Sequence, residues 1–375
     1  MASPNKKVVV LGAGISGLTV ANKLASNNFS VNIIEKNKSV GGICASFSYK
    51  NFRLDYGPHK FYTTLNGIYE DFFEHTNNNY LKIKKKNSLH LIGKNFDFPV
   101  KISQLLLNIN PFLAIKCGSG VGYQILKKTV AQRNPSNYEE YFIEGFGKTG
   151  YDLLFRDYAW KIWGNPKELD AELARKRIPV SGAISLIKSV LIKKDKNPKI
   201  SAEYFYYPKY GFGILTDTLA DKIKKNKGSF FLDSFPHKIF IKDNRVTEVV
   251  INEAGKEKNI KTDYLVSSIP LADLVNIIHP KPPEEILYSA KKLKYRSIII
   301  FYIIVNKEKI LSDNWIFFPE KEFLFNRISD HKSFSNYTCP PGKNVLTVEI
   351  TCTKKDETYN LNDALLFSRI IDSRN

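Results

Sequence analysis

Several residue patterns that mark common classes of protein are missing from this chain of 375 residues. Its few cysteines are widely separated and form no C-x-x-C pair, which argues against both a disulfide framework and a zinc site. The histidines show no metal-ligand spacing, and no Ser-His-Asp or Cys-His arrangement for nucleophilic catalysis is evident. The four cysteines are Cys44, Cys117, Cys339 and Cys352. We therefore expect neither a metal site nor a protein nucleophile.

Long hydrophobic runs are also missing. The longest apolar stretch, residues 298–305, is too short to cross a bilayer and predicts a buried strand. Residues 1–7 contain no apolar segment of the secretory type, and the chain runs almost directly into its first strand. These observations predict a cytoplasmic protein.

Acidic residues are outnumbered by basic ones, 37 to 56, so the formal net charge is +19. The lysines concentrate at residues 82–86, 193–196 and 222–225. Such runs are usually solvated surface, and the abundance of Lys, Asn and Ile favours a compositional bias. The alternative is attraction to anionic lipid or to a nucleotide sugar, which keeps a peripheral membrane contact open. No nucleic-acid-binding motif accompanies the charge, so we expect no nucleic-acid partner. No feature predicts the oligomeric state.

The most informative part of the sequence is residues 7–35. An apolar strand at 7–11 is followed at once by G-x-G-x-x-G at 12–17, a helix at 18–26 and a second apolar strand that ends at Glu35. This order and spacing are typical of a dinucleotide-binding βαβ unit. A glycine-rich turn in an ordinary βαβ unit is less favoured, because both strands and the acid are in place.

Each position of the motif has a physical task. Gly12 makes the tight turn off the strand, Gly14 lets the backbone approach a pyrophosphate, and Gly17 lets the helix pack close to the sheet. Free N–H groups at the helix N-terminus attract phosphate. Glu35 can accept hydrogen bonds from ribose hydroxyls. The predicted cofactor-binding set of this segment also includes Ile15, Ser16 and Lys36.

A second glycine motif indicates which dinucleotide binds. Gly41 and Gly42 lie just beyond Glu35, and Ile-Cys-Ala-Ser follows them. The stretch resembles the paired-glycine motif G-G-x-x-x-[ST] of large flavoproteins, which NAD-dependent dehydrogenases generally lack. An arginine often precedes those glycines, whereas Ser39 and Val40 precede them here. Together the two motifs predict FAD as the cofactor.

The pattern along the chain predicts an α/β fold with a discontinuous Rossmann-like FAD-binding domain, a helical insertion and a mixed-sheet substrate domain. Residues 1–65 and 205–280 are the expected FAD-binding segments, because short β-rich runs return after residue 207. Residues 66–204 carry apolar residues at helical spacing, with Asn-Pro pairs at 110–111 and 134–135 as helix boundaries. Residues 281–375 are expected to contribute the strands of the substrate domain.

Taken together, the motifs resemble the flavin-dependent amine oxidase superfamily, specifically its protoporphyrinogen-oxidase-like and UDP-galactopyranose-mutase-like members. The likeness covers nearly the whole chain. Further blocks that carry it are residues 55–63, 207–213, 264–270, 315–320 and 325–327. The resemblance also implies a final glycine-containing segment that closes over the flavin. Nothing in residues 356–375 resembles that segment, so we expect a truncated chain.

The resemblance implies where catalysis takes place. A Gly-Pro-His sequence, here Gly57, Pro58 and His59, lies beside the flavin ring in the mutase-like members. His59 would then be a hydrogen-bond partner or proton handler at the flavin, although a structural histidine is an equal alternative. The second predicted catalytic residue is Arg327, which lies among apolar residues where a guanidinium needs an anion. That anion is either a substrate phosphate or carboxylate, or a local acid such as Glu349.

Other candidates are weaker. Arg296 could assist in holding a diphosphate. Trp160 and Trp163 could stack on a uridine or a tetrapyrrole, but packing is the favoured role for both.

The resemblance implies two reactions on the same FAD frame. The favoured one is an oxidoreductase of the protoporphyrinogen-oxidase-like group, which passes a hydride from an organic substrate to flavin. The alternative is a UDP-galactopyranose-mutase-like sugar isomerase, in which the reduced flavin reacts at the sugar C1. A second alternative is an inactive or truncated flavin-binding protein. The expected substrate is a small molecule: a porphyrinogen, an amine or a nucleotide sugar.

Overall fold

The computed structural model of the chain describes residues 6–100, 102–130, 134–177 and 203–372. The lysine cluster at 193–196 lies outside these residues. The chain divides into two compact units. The first comprises Met1–Ile83, Tyr204–Tyr295 and Phe334–Pro340, and the second comprises Lys84–Glu203, Arg296–Ser333 and Pro341–Asn375. The boundaries of these units differ from those expected from the sequence. The first two segments of the first unit extend to Ile83 and Tyr295, and residues 334–340 also belong to this unit.

The strands are numbered in chain order. They are β1 Lys7–Leu11, β2 Ser30–Ile34, β3 Ser46–Tyr49, β4 Phe52–Asp55, β5 Tyr80–Lys84, β6 Asn87–Leu91, β7 Lys94–Asp97, β8 Tyr204–Pro208, β9 Ser229–Phe231, β10 Ser234–Lys242, β11 Arg245–Glu253, β12 Lys256–Lys261, β13 Tyr264–Ser267, β14 Ile278–His279, β15 Ser297–Val305, β16 Trp315–Phe317, β17 Arg327–Asp330 and β18 Asn344–Cys352.

The α-helices are Ile15–Ala25, Ile68–His75, Ile102–Asn108, Pro111–Val130, Tyr138–Tyr151, Asp157–Ile162, Ala171–Arg177, Ile214–Lys225, Leu271–Asn276, Glu284–Lys292 and Asp363–Asp372. Within the described residues, no helix combines the length and the apolar composition that a membrane span requires.

A four-stranded sheet in the order β13-β1-β2-β9 forms the centre of the first unit. All three neighbouring pairs of strands are parallel, and a parallel sheet of this kind is covered on both faces. Val8 and Val10 of β1 contribute to one hydrophobic cluster, while Val9 and Leu11 contribute to another. Strands β9 and β13 lie in the segment that was expected to return to the nucleotide-binding domain, and they pair with the first βαβ unit.

A second sheet of the first unit has the order β12-β11-β10-β14. The predicted turn between β10 and β11 is present, with Asp243 and Asn244 at φ 50° and 57°, as a two-residue hairpin turn requires. Strand β12 was not predicted. Its sequence is rich in lysine, and among its residues only Ile260 is buried.

The second unit contains a six-stranded sheet in the order β15-β18-β17-β16-β6-β7. The long strand predicted after residue 297 pairs antiparallel with β18 over nine residues. The mainly helical interpretation of residues 66–204 was wrong near its start, where β5, β6 and β7 are strands. Strands β6 and β7 pair with each other in a hairpin, and β6 also pairs with β16, more than 200 residues away. The spacing of apolar residues along the sequence cannot detect such pairing.

Two helices of the second unit cross at close range. Tyr138–Tyr151 begins after Asn137, whose side chain accepts a hydrogen bond from the backbone N–H of Glu140, and the predicted Asn-Pro boundary lies just before it. This helix is kinked at Gly147, at φ 71°. A Cβ on Gly147 would lie 2.6 Å from the backbone of Gly120 in the helix Pro111–Val130, so the crossing depends on glycine.

Candidate dinucleotide-binding site

The turn after β1 requires glycine at two positions. Gly12 has φ +94°, and a Cβ there would lie 2.5 Å from the hydroxyl oxygen of Ser268. A Cβ on Gly17 would lie only 2.0 Å from the carbonyl oxygen of Gly12. The hydroxyl of Ser268, directly after β13, donates to the carbonyl oxygen of Leu11 at 2.9 Å. The helix that follows the turn is therefore held tightly against the strand ends.

Gly14 differs from its two neighbouring glycines, because a Cβ on it would meet no described atom within 4 Å. It is the N-cap of the helix Ile15–Ala25 in an extended conformation, and no described side chain caps this helix end. The first turn also contains no acidic residue. The N-terminus therefore presents N–H donors and a partial positive charge beside open space, as an anion site requires.

The two glycine motifs touch each other. The N–H of Gly41 donates to the carbonyl oxygen of Ala13 at 2.7 Å, and Gly41 forms a parallel bridge with Gly14. A Cβ on Gly42 would lie 3.3 Å from the Cα of Gly14. Both paired glycines have positive φ, 110° and 56°. Two stretches of bare backbone thus lie side by side at the open end of the helix.

Glu35 is buried, and its carboxylate binds the glycine loop directly. Oε2 accepts a hydrogen bond from the N–H of Ala13 at 2.8 Å, and Oε1 accepts one from the N–H of Asn37 at 2.9 Å. Each carboxylate oxygen has a further lone pair, so these bonds leave capacity for a ribose hydroxyl. Of the other predicted binding residues here, Ser16 and Lys36 are exposed, whereas Ile15 packs against the core.

His59 stacks on Phe212, with ring centroids 4.9 Å apart and an interplanar angle of 26°. The loop that carries it turns at Gly57, where φ is +85°. The N–H of Phe212 in turn donates to Oδ1 of Asp55 at 3.0 Å. The Gly-Pro-His loop is therefore coupled to the segment that follows β8.

Asp55 is the centre of a buried network that sequence reasoning missed. Its Oδ1 also accepts a hydrogen bond from the hydroxyl of Ser46, and its Oδ2 accepts one from the hydroxyl of Tyr207, both at 2.5 Å. The N–H of Gly213 donates to the Ser46 hydroxyl oxygen at 2.7 Å. Burial, together with the Asp55 carboxylate, raises the pKa of Tyr207 well above its usual value. The available signal was an acid two residues before the Gly-Pro-His sequence.

The network reaches the paired glycines. A Cβ on Gly41 would lie 2.8 Å from the Cβ of Ala45 and 2.9 Å from the hydroxyl oxygen of Thr216. Ala45 precedes Ser46, and Thr216 donates to the carbonyl oxygen of Gly213. The paired-glycine loop and the Asp55 network are thus anchored to the same segment at the start of the helix Ile214–Lys225.

In the second unit, Arg327 forms a two-point ion pair with Glu349. Nε and Nη2 each donate to one carboxylate oxygen at 2.6 Å, and the two side chains are 22% and 3% exposed. The guanidinium carbon lies 4.6 Å from the centre of the Trp315 ring. The local acid that the sequence offered as the alternative partner is therefore the partner in this structure. Register explains the contact, since Arg327 lies opposite Glu349 in the β17–β18 pair.

Lys161 holds the β16–β17 connection of the same unit. Its ammonium donates to the carbonyl oxygens of Phe318 at 2.8 Å and Phe325 at 3.1 Å. Burial lowers the pKa of Lys161 to about 8. Arg296 donates to the carbonyl oxygen of Lys161 at 2.9 Å.

The tryptophans near Lys161 differ in environment. Trp163 packs against Tyr138 and Tyr158 in an aromatic cluster, as expected. Trp160 is 52% exposed, so the expected packing role was wrong for it. It lies on the outward side of a short helix, which the sequence pattern does not reveal.

Parts of this sequence are similar to known proteins. Residues 10–76 match the model of the NAD(P)-binding Rossmann-like domain. The chain is 28% identical over 184 residues to a probable UDP-galactopyranose mutase of Klebsiella pneumoniae, covering 47% of this chain and 46% of that protein. It is 28% identical over 182 residues to the dTDP-fucopyranose mutase of Escherichia coli, covering 46% of each. The matched part therefore spans about half the length of these relatives.

Solved structures extend the likeness over the whole chain. A reduced UDP-galactopyranose mutase superposes with a TM-score of 0.83 at 21% identity, covering 98% of this chain and 78% of that one. The chain therefore has the fold of that mutase. A putative protoporphyrinogen oxidase from Exiguobacterium superposes with a TM-score of 0.72 at 14% identity, covering 97% and 81%. The predicted α/β fold class and the predicted resemblance to this group are confirmed.

The relatives include both mutases and oxidoreductases. A 1-hydroxycarotenoid 3,4-desaturase of Flavobacterium is 23% identical over 350 residues, covering 88% of this chain and 70% of that protein. The chain is thus similar both to proteins named as mutases and to one named as a desaturase.

Proposed function

We propose that this protein binds FAD and acts as a nucleotide-sugar mutase, which interconverts the ring forms of a nucleoside-diphosphate hexose. The observation that carries the proposal is agreement between two comparisons. Sugar-nucleotide mutases supply the sequence matches at 28% identity and also the structural match at a TM-score of 0.83. This proposal selects the alternative that the sequence alone ranked second.

FAD fits the residues of the first unit. A side chain at Gly14 would project into open space beside an uncapped helix end, and the paired glycines extend the bare backbone surface from there. Gly12, Gly14 and the N–H groups of Ile15 and Ser16 would bind the pyrophosphate, and Glu35 the ribose. Gly41 and Gly42 would lie along the rest of the dinucleotide. Bound FAD would supply the redox-active ring on which mutase and oxidase chemistry both depend.

His59 and Phe212 are proposed to orient the redox-active ring of the bound FAD. Stacking on Phe212 restricts rotation of the imidazole, and the hydrogen bond of Phe212 to Asp55 restricts the backbone beneath it. An imidazole held in this way can donate or accept a proton at a defined place.

Arg327 is proposed to bind the substrate diphosphate. Its two-point bond to Glu349 uses Nε and Nη2, and within the described residues Nη1 makes no hydrogen bond. The pair is neutral overall, so directed donation from Nη1, rather than net charge, would recognise a phosphate oxygen. Stacking on Trp315 would keep the guanidinium plane fixed while it does so.

The oxidoreductase assignment remains the second candidate. The desaturase relative supports it, because that match covers 88% of this chain. In this case the substrate would be a porphyrinogen, an amine or another hydride donor, and the flavin would act in its oxidised form.

One experiment separates the two proposals. The chain is loaded with FAD, reduced with dithionite and incubated with UDP-galactopyranose or dTDP-fucopyranose, and the ring forms are separated by chromatography. The mutase proposal expects turnover only with reduced flavin and no net redox change. If both nucleotide sugars stay unchanged while a porphyrinogen or an amine bleaches the oxidised flavin, the oxidoreductase is supported. Protein that binds FAD but does neither contradicts both.

A further inference from the structure

The helix Pro111–Val130 is apolar on two opposite sides. Its inner side packs into the second unit, where Leu113 and Ala114 contact the cluster around Leu91 and Phe96. The close approach of Gly120 to Gly147 lies towards the same interior. One apolar face is enough to hold a helix on a globular core, so the second face needs a separate explanation.

The second side, here called the outer face, carries large exposed side chains. Phe112 is 75% exposed, Ile115 70%, Tyr123 62% and Leu126 69%. At about 100° per residue these four positions fall within an arc of roughly 80° on the helix. Leu107, in the preceding helix, is exposed as well. Several large apolar groups thus share one stripe, unlike the single exposed residues that are normal on a protein surface.

The chain segment that carries the outer face has charges of one sign only. Lys116 and Lys127 are exposed and flank the apolar stripe on one edge. Residues 98–138 contain no aspartate or glutamate at all, but they contain four lysines and one arginine. A cationic margin beside an apolar stripe is the pattern of helices that lie in the interface of an anionic bilayer.

We propose that the outer face docks this protein on the surface of an anionic lipid bilayer. Phe112, Ile115, Tyr123 and Leu126 would enter the boundary between headgroups and acyl chains, while Lys116 and Lys127 would reach the lipid phosphates. The positive charge of this segment favours an anionic bilayer over a second copy of the chain as the partner. Pairing two outer faces would bring their lysines together with no acid in the segment to compensate them, whereas a bilayer with anionic headgroups supplies the opposite charge. This proposal does not depend on the reaction that the protein catalyses.

The test is flotation of the FAD-loaded chain with phosphatidylcholine vesicles, with and without added phosphatidylglycerol. The protein should float with the anionic vesicles, float weakly with the neutral ones, and be released as salt is raised. Lys116→Glu with Lys127→Glu should weaken binding at least about 25-fold, since each basic residue contributes roughly five-fold near such a surface. Phe112→Ser with Ile115→Ser and Leu126→Ser should abolish it.

Matched controls separate this site from the general basic charge. Lys281→Glu with Lys343→Glu makes the same change in net charge at exposed positions elsewhere, and Ile286→Ser with Tyr288→Ser removes exposed apolar groups from another helix. Both controls should float like the unaltered chain. FAD binding and circular dichroism check that each variant is folded, and the two lysine positions are exposed enough that their variant should fold.

Three results would overturn the proposal. The first is no flotation of the unaltered chain with anionic vesicles. The second is equal loss of flotation in the control and outer-face lysine variants. The third is a dimer, seen by light scattering, that the serine variant dissociates, because the face would then be a self-association surface.

Discussion

The hydroxyl of Tyr207 donates a 2.5 Å hydrogen bond to Oδ2 of Asp55, and both side chains are buried. This bond joins β8 to the β3–β4 hairpin. Through Oδ1 the same carboxylate holds the backbone of Phe212, on which His59 stacks. The position of the predicted catalytic histidine therefore depends on an acid and a tyrosine that are distant from each other in sequence.

Tyr207→Phe should lower the free energy of unfolding by about 2 kcal/mol, because a buried carboxylate loses a donor while the ring volume is kept. Urea unfolding monitored by circular dichroism measures the change. Tyr210→Phe is the control, since that tyrosine is nearly half exposed and its variant should stay within about 0.5 kcal/mol of the parent. Equal effects of the two substitutions would show that the Asp55 bond contributes nothing.

Gly14→Val and Gly17→Ala should fail in different ways. A Cβ at position 14 meets no described atom within 4 Å, so Gly14→Val should fold with a loss within about 1 kcal/mol but should not bind FAD, because the side chain occupies the space for the pyrophosphate. The alanine Cβ would lie 2.0 Å from the Gly12 carbonyl oxygen, so that variant should be strongly destabilised. Flavin absorbance after reconstitution, together with thermal unfolding, checks both. Normal FAD affinity in Gly14→Val would show that the pyrophosphate does not bind at this site.

Arg327→Lys should weaken nucleotide-sugar binding by about ten-fold and leave FAD binding unchanged, because an ammonium cannot keep the two-point bond to Glu349 while it also donates to a phosphate. Equilibrium binding of UDP-galactopyranose to the reduced protein measures this. Arg369→Lys replaces an arginine in an exposed pair with Glu357 and should have no effect on either ligand. An unchanged affinity for the nucleotide sugar in Arg327→Lys would show that Arg327 has only a structural role.

Lys161 should make stability depend on alkaline pH. Its pKa is about 8 in the folded protein against an ordinary value of 10.5, so the unfolded chain binds more protons between these limits. Stability should therefore rise as pH increases from 8 to 10.5, and the burial penalty that is removed amounts to at most about 3 kcal/mol. Lys161→Met should lose this rise, while the exposed Lys167→Met should keep it, as measured by urea unfolding across that range. A rise that persists in Lys161→Met would have to come from other groups.

The sequence was most informative where chemistry is local. Glycine at positions 12, 14 and 17 followed by Glu35 identifies the βαβ unit, because tight turns and close backbone approach depend on residues that are neighbours in the chain. The hairpin at Asp243 and Asn244 was predicted for the same reason. Strands β6 and β7 were missed because β16, the strand that joins their hairpin to the rest of the sheet, is distant in the sequence. Trp160 was misassigned because the direction of a side chain on a short helix is not a property of the local pattern.

The amino-acid sequence by itself determined the fold class, the Rossmann-like unit and both glycine motifs, because each follows from backbone requirements within a few residues. Only the tertiary structure decided that Gly42 lies against Gly14, that Asp55 joins Tyr207 to the loop beneath His59, and that Arg327 pairs with Glu349. These contacts join positions between 22 and 152 residues apart, or bring two loops edge to edge. Such pairings follow from sheet register and core packing, and the free energy that selects them comes from the folded chain as a whole.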